Sequence, residues 1–166
     1  MIRHIICMGV SATGKTTVGH ILADLLGTTF LEGDDLHTQA NKDRMEQGIA
    51  LTDEDRAPWL ADIRDWMTQQ GRSDRSTVVA CSALKREYRD VLREAEGQVI
   101  FVHIKPPQDL LYERMKGRTD HYMGPDQLDD QLETLEPLDS DEEGFTIDNQ
   151  KSPEDAAKEI AALLNS

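Results

Sequence analysis

The chain has 166 residues, with 18 Lys plus Arg against 32 Asp plus Glu, a formal net charge of −14. So acidic a chain lacks the basic face that displaces counterions from nucleic acid, and no apolar run reaches the roughly 18 residues of a membrane span, so neither partner is expected. The two cysteines, Cys7 and Cys81, lie in apolar runs and read as buried free thiols, which with the absence of a signal-like leader makes the cytoplasm the expected compartment.

The first run, HIICMGV (4–10), is apolar and β-branched and reads as a strand. It leads into GVSATGKT (9–16), which matches G-x-x-x-x-G-K-[ST] between that strand and a helical stretch at 15–26. Gly9 and Gly14 allow backbone angles and close approaches that a side chain would block. The turned backbone then aims several N–H groups inward, an anion nest at a helix N-terminus. Gly9, Ser11, Ala12, Thr13, Gly14, Lys15, Thr16 and the adjoining Thr17 are the candidate nucleotide-binding residues. Lys15 is expected to reach the β- and γ-phosphates, and the Thr16 hydroxyl to bind Mg²⁺. The motif points to a nucleoside triphosphate with magnesium and leaves open what is done with it.

The second run, TTFLEGD (28–34), is expected to end in Gly33-Asp34 and to set a carboxylate at the sheet edge. His37, Asn41 and Met45 recur every four residues, on one helical face; His and Asn can hydrogen-bond hydroxyls, while Met packs. Asp53, Arg56 and Trp59 follow. In 57–70, Trp59, Leu60, Ile63, Trp66 and Met67 form an apolar stripe, with Pro58 expected in the first turn, and Thr52 with Asp55 reads as a helix cap. The third run, TVVACSA (77–83), precedes a helical pattern at 83–95 whose start carries Lys85, Arg86 and Arg89. After QVIFVHIK (98–105), Arg114 and Arg118 stand four apart and lead into TDHYMG (119–124), a polar segment suited to a lid. GFTIDNQ (144–150) is the last strand, and SPED (152–155) announces the last helix: capping Ser, Pro in the first turn, then acids. The alternation predicts one α/β domain, a doubly wound, five-stranded parallel sheet with helices on both faces.

Three uses of the nucleotide compete. A GTP switch needs an Asn-Lys-x-Asp guanine reader, and NKDR (41–44) has Arg in the last place. A motor ATPase ends a strand in an acidic pair, where these strands end in Ser82 and Lys105. A small-molecule kinase alone gives work to Asp34 and to the donors and cations after it, which suit an acceptor with hydroxyls and a carboxylate.

Taken together, these motifs make the chain resemble the gluconate kinase family of small P-loop kinases, nearly end to end. The likeness runs through GVSATGKT, FLEGDDLH with Asn41, Lys42, Met45 and Gly48, LTDEDRAPWL (51–60), CSALKREYRDVLR (81–93), Arg114 and Arg118 with His121 and Tyr122, and QLETLEP (131–137). The resemblance implies a nucleoside-monophosphate-kinase-like fold and ATP-dependent phosphorylation of D-gluconate to 6-phosphogluconate, often by a homodimer. It implies Lys15, Asp34 and Arg118 as catalytic residues, with Arg114 and Arg118 also on the nucleotide. Its implied acceptor side is Asp34, His37, Asn41, Met45, Asp53, Arg56, Trp59, Lys85, Arg89 and His121, within a helical region at about 35–70 and a lid at about 118–126. Two positions depart from the pattern. Ala12-Thr13 stands where many relatives have a smaller residue in the loop, and Thr38 stands where a proline often follows the histidine, which leaves the start of the next helix open. A kinase for another hydroxy acid such as shikimate, or a nucleotide-binding module without catalysis, are the alternative readings.

Overall fold

The computed structural model describes residues 2–10, 13–116, 125–148 and 152–165. Five strands, β1 (Arg3–Met8), β2 (Thr29–Glu32), β3 (Thr77–Ala80), β4 (Gln98–Ile104) and β5 (Gly144–Ile147), form one sheet in the order β2-β3-β1-β4-β5. Every pairing is parallel, so all five strands end at one edge. The helices are α1 (Lys15–Leu26), α2 (Gln39–Glu46), α3 (Asp53–Arg72), α4 (Arg86–Leu92), α5 (Gln108–Lys116), α6 (Pro125–Thr134) and α7 (Pro153–Leu164). This is the expected doubly wound α/β sheet.

Successive side chains of β1 divide between the two faces, as strand geometry requires. Ile5 and Cys7 pack with Val18 and Leu22 of α1 and Ala157 and Ile160 of α7, whereas Ile6 and Met8 pack with Ile63 and Met67 of α3 and Leu92 beyond them. A third cluster joins Val10 and Leu84 to Leu111 and Met115 of α5 and Leu128 of α6. Both cysteines are free and buried, with burial pushing each thiol up to about 12. No helix among the described residues is long and apolar enough to cross a membrane.

Several boundaries fall short of the apolar runs. The run 77–83 is strand only to Ala80, although Cys81 still donates its N–H to the Cys7 carbonyl at 3.1 Å. Beyond the last ladder bond the chain turns into edge loops while staying buried, and periodicity does not register that turn. The second strand likewise stops at Glu32, and residues Gly33–Leu36 form a single 3-10 turn, so Asp34 lies on that turn and does not end the strand. Helix α3 begins earlier than its apolar stripe. Thr52 Oγ1 accepts from the Asp55 N–H at 3.1 Å, and Asp55 Oδ2 accepts from the Thr52 N–H at 3.0 Å. This capping box places Pro58 inside the helix and not in its first turn.

The run after α6 is fastened to α4 by a buried ion pair. Arg89 and Glu142, both with fully buried side chains, meet through Nε to Oε1 at 2.7 Å and Nη2 to Oε2 at 3.0 Å. Arg89 Nη1 donates to the Ala83 carbonyl at 2.9 Å, and Glu142 also accepts from Arg93 at 2.7 Å and from the Asp139 N–H at 2.8 Å. Burial alone would raise the Glu142 pKa; the hydrogen bonds from Arg89, Asp139 and Arg93 outweigh it and hold the carboxyl at about 2. A carboxyl depressed in this way stabilises the fold above the unfolded-state pKa of about 4.3, and that stability is lost as pH falls toward 2. Glu142→Gln should therefore cost about 3 kcal/mol or more at pH 7, the usual loss for breaking a buried pair from one side. The penalty should shrink at pH 3. Urea denaturation at the two pH values checks this, and a loss below about 1 kcal/mol at pH 7 would refute it.

Candidate functional site

A cleft of about 600 Å³ opens at the carboxyl edge of the sheet, where the ends of β1, β2 and β3 meet α2, α3 and α6. Its floor is the loop after β1. Gly9 donates its N–H to Ser82 O at 3.2 Å, and its φ of 144° and a Cβ that would lie 2.8 Å from Ile104 O admit only glycine there. Gly14 caps α1, and Gly14, Lys15, Thr16 and Thr17 line the cleft. Lys15 Nζ reaches the Val10 carbonyl at 3.4 Å. Arg114 of α5 donates to the Thr13 carbonyl at 3.4 Å, which puts a cation against the loop. Ser11, Ala12, Arg118 and His121 lie outside the described residues, as does the expected lid apart from its last positions, which begin α6.

The acidic side of the cleft comes from β2 and the turn after it. Glu32 accepts a hydrogen bond from the Thr16 hydroxyl and a longer one, 3.4 Å, from the Asp34 N–H. Burial raises its pKa, with the nearby Asp34 charge adding to that rise and the Thr16 bond and Lys15 opposing it. Asp34 lines the cleft and Asp35 does not. The turn bearing Asp34 is fixed from behind: Trp59 Nε1 donates to Gly33 O at 2.7 Å, and a Cβ on Gly33 would sit 2.7 Å from Ala80 O.

His37 was expected on one helical face with Asn41 and Met45. It precedes the helix instead, because Thr38 is the N-cap of α2 and its Oγ1 accepts from the Asn41 N–H at 3.1 Å. His37 stacks on Trp59 with ring centroids 4.0 Å apart and lines the cleft. Burial lowers its pKa, so the imidazole is neutral near pH 7, and its 3.9 Å approach to Asp34 is not an ion pair there. Asn41 does not line the cleft. Its buried amide donates to the Asp55 carbonyl at 3.0 Å and braces α2 against α3. Met45 does line the cleft.

Another stretch of the cleft wall carries Asp53, Arg56, Lys85 and Tyr88. Lys85 lies 3.4 Å from both Asp53 oxygens, and Arg56 lies 3.9 Å from Asp53. The Tyr88 hydroxyl donates to Asp53 and accepts from Arg56 Nη1 at 3.2 Å. That Tyr88 bond chiefly holds the Asp53 carboxyl below the usual range, with Lys85 adding to it. Arg89, expected among these acceptor-side cations, is not on the wall: its guanidinium is buried on Glu142. Glu32 and Tyr88 were missed by sequence reasoning. Glu32 had a signal, since it has the same strand parity as Asp34, but nothing local set Tyr88 apart within the helical pattern at 83–95.

A shikimate kinase family model matches residues 11–165. The gluconokinase of Gluconobacter oxydans (strain 621H) is 44% identical over 158 residues, covering 95% of this chain and 89% of that one. Among solved structures, an unliganded sugar kinase from Janibacter sp. HTCC2649 is similar with a TM-score of 0.94 and 43% identity, covering 99% of this chain and 95% of that one. A gluconokinase from Sinorhizobium meliloti 1021 is similar with a TM-score of 0.87 and 42% identity, covering 98% of this chain and 91% of that one.

Because Trp59 both bonds Gly33 and stacks on His37, Trp59→Phe keeps a ring but leaves the Gly33 carbonyl without its donor. It should cost about 1–2 kcal/mol of folding stability, read from chemical denaturation. An unchanged midpoint would mean that the turn bearing Asp34 is held by other contacts.

Proposed function

The chain, which the shikimate kinase family model matches, belongs to the gluconokinases, and from that premise we propose that it phosphorylates D-gluconate to 6-phosphogluconate with ATP. The observation that carries the reading is one cleft lined by the end of the phosphate loop, by Asp34 and by a group of paired charges, Asp53, Arg56 and Lys85. A bare guanine switch or a mechanical ATPase has no use for that group of charges. The same reading takes the chain as one domain, with an acceptor region at about 35–70 and a lid at about 118–126. A cytoplasmic homodimer belongs to it as well, supported by the family resemblance.

In this reading the backbone N–H groups at the start of α1 and the Lys15 ammonium take up the charge of the β- and γ-phosphates. Gly9, Ser11, Ala12, Thr13, Gly14 and Thr17 complete that cradle, and Arg114 and Arg118 oppose the charge spread over the transferring group. The donor chemistry also suits Mg²⁺, a cation that prefers hard oxygens. The Thr16 hydroxyl donates a hydrogen bond to Glu32, which leaves its oxygen lone pairs free toward a metal, with the Glu32 carboxylate close by. Held by Thr16 with Glu32 nearby, such a cation would supply positive charge against the phosphates.

The acceptor's carboxylate is met by Arg56 and Lys85, and its hydroxyls by Asp53 and by His37, with Met45 and Trp59 as apolar walls and His121 from the lid. The hydroxyl oxygen attacks the γ-phosphorus as the bond to the bridging oxygen breaks and ADP leaves. The hydroxyl proton passes to Asp34 and then to solvent. The neutral His37 stacked on Trp59 limits where the Asp34 carboxylate can turn.

A coupled ADP-release assay with gluconate, other sugar acids and shikimate tests the function. Gluconate should give the highest kcat/KM, and turnover of shikimate without gluconate would overturn the assignment. Asp34→Asn keeps the shape and removes the basicity, so kcat should fall by roughly a hundredfold to ten-thousandfold while ATP still binds. Asp35→Asn should be much milder, since Asp35 does not line the cleft. Equal effects at the two positions would remove Asp34 from the proton-accepting role.

A further inference from the structure

The acceptor wall poses an electrostatic problem. Arg56 and Asp53 stand a turn apart at the start of α3, with side chains free to reach each other. Left alone, a guanidinium and a carboxylate so placed close into a short, bidentate pair. A pair closed in that way would present little charge to an incoming acid. The observed separation is 3.9 Å, too long for a direct hydrogen bond. What stands between them is a single hydroxyl, that of Tyr88.

A phenol has one O–H to donate and lone pairs to accept with. Tyr88 uses both, donating to Asp53 and accepting from Arg56 Nη1 at 3.2 Å. The same Nη1 also donates to the Leu51 carbonyl at 2.9 Å, which anchors the guanidinium. The ring lies beneath the cations, with Arg56 Cζ 5.5 Å and Lys85 Nζ 5.6 Å from its centroid, close enough for cation–π attraction. The ring is only 5% exposed and packs in the core with Trp59 and Leu92, so the hydroxyl is presented to the cleft from a fixed base.

We propose that Tyr88 is a positioning residue for acceptor recognition, a spacer whose hydroxyl keeps Asp53 and Arg56 apart so that both stay open to a polyhydroxy carboxylate. The inference rests on the proposed gluconate kinase reading and deepens it. Without the hydroxyl, Asp53 and Arg56 pair directly, and the acceptor has to break that pair before it can bind. The nucleotide side of the cleft shares no hydrogen bond with this group among those described, so the effect is confined to the acceptor.

Tyr88→Phe removes the one oxygen and keeps the ring in the core. Steady-state kinetics should show the gluconate KM rising about tenfold, with the ATP KM within about twofold of wild type, a split that marks loss of acceptor binding. The rise should be much smaller when Tyr88→Phe is made in an Asp53→Asn chain, where no ion pair can collapse; the cycle of single and double variants reads that coupling. A gluconate KM within twofold of wild type overturns the proposal. So does an equal rise in both KM values or a loss of ATP binding, because the hydroxyl then acts through the fold, and so does an effect in the Asp53→Asn chain as large as in the parent. Wild-type turnover of gluconate is measured first: its absence would sink the proposed function, whereas failure of these variants with an active wild type sinks the spacer role alone.

Discussion

The buried pair of Arg89 and Glu142 is the constraint on which the cleft side of the molecule depends. Removing two charges from water costs several kcal/mol each, and the cost is offset only when every donor and acceptor is used. Here they are: the carboxylate takes Arg89 twice, Arg93 and the Asp139 N–H, and Arg89 spends its remaining donors on carbonyls of 83, 84 and 137. One of those carbonyls belongs to Ala83, whose φ of 45° is unusual for a residue with a side chain. The pair thus stabilises a strained turn at the end of β3. It also ties α4 to the run that leads into β5. Lys85 and Tyr88 stand on the turn and helix it fixes, so the acceptor wall takes its position from a contact that faces away from the cleft.

The charge distribution follows from the same economy of cations. A chain with a net charge of −14 that handles phosphates and an acid has to keep its few positive groups where they act. Many of the surface cations are matched by acids, as with Arg72 and Glu96, Arg64 and Glu94, and Arg86 with Asp139 and Asp141. Such exposed pairs add little stability, while Lys15, Arg56 and Lys85 line the cleft. Within it the acids are graded by setting. Glu32 is partly buried and bonded to the loop, Asp34 stands open on a braced turn, and Asp53 is held among cations and a phenol.

The kinase architecture accounts for how these parts meet. In a parallel sheet of order β2-β3-β1-β4-β5, β2 and β3 lie on the same side of β1, so the loops after all three strands open into one cleft. The phosphate loop, the Asp34 turn and the Lys85 turn are far apart in the chain and adjacent in space for that reason alone. Binding at the carboxyl edge of an open α/β sheet is the general outcome of this geometry.

Sequence alone determined what depends on local chemistry. The loop at 9–16 carries its own backbone requirements, the five apolar runs carry the strand period, and Thr52, Asp55 and Ser152 announce helix starts through the hydrogen bonds their side chains can make with nearby N–H groups. Only the tertiary structure decided which polar groups face the cleft and which are used up inside. Arg89 and Lys85 are four residues apart on one short segment, yet one is sealed on Glu142 and the other lines the cleft, because their partners come from residues 53 and 32 positions away that no local pattern marks. Asn41 was lost to a backbone carbonyl of α3 in the same way, and Tyr88 gained its place because a ring that packs like any core aromatic happens to deliver its hydroxyl between two charges. Periodicity reports which side of an element is buried; it carries no information about the partner waiting there.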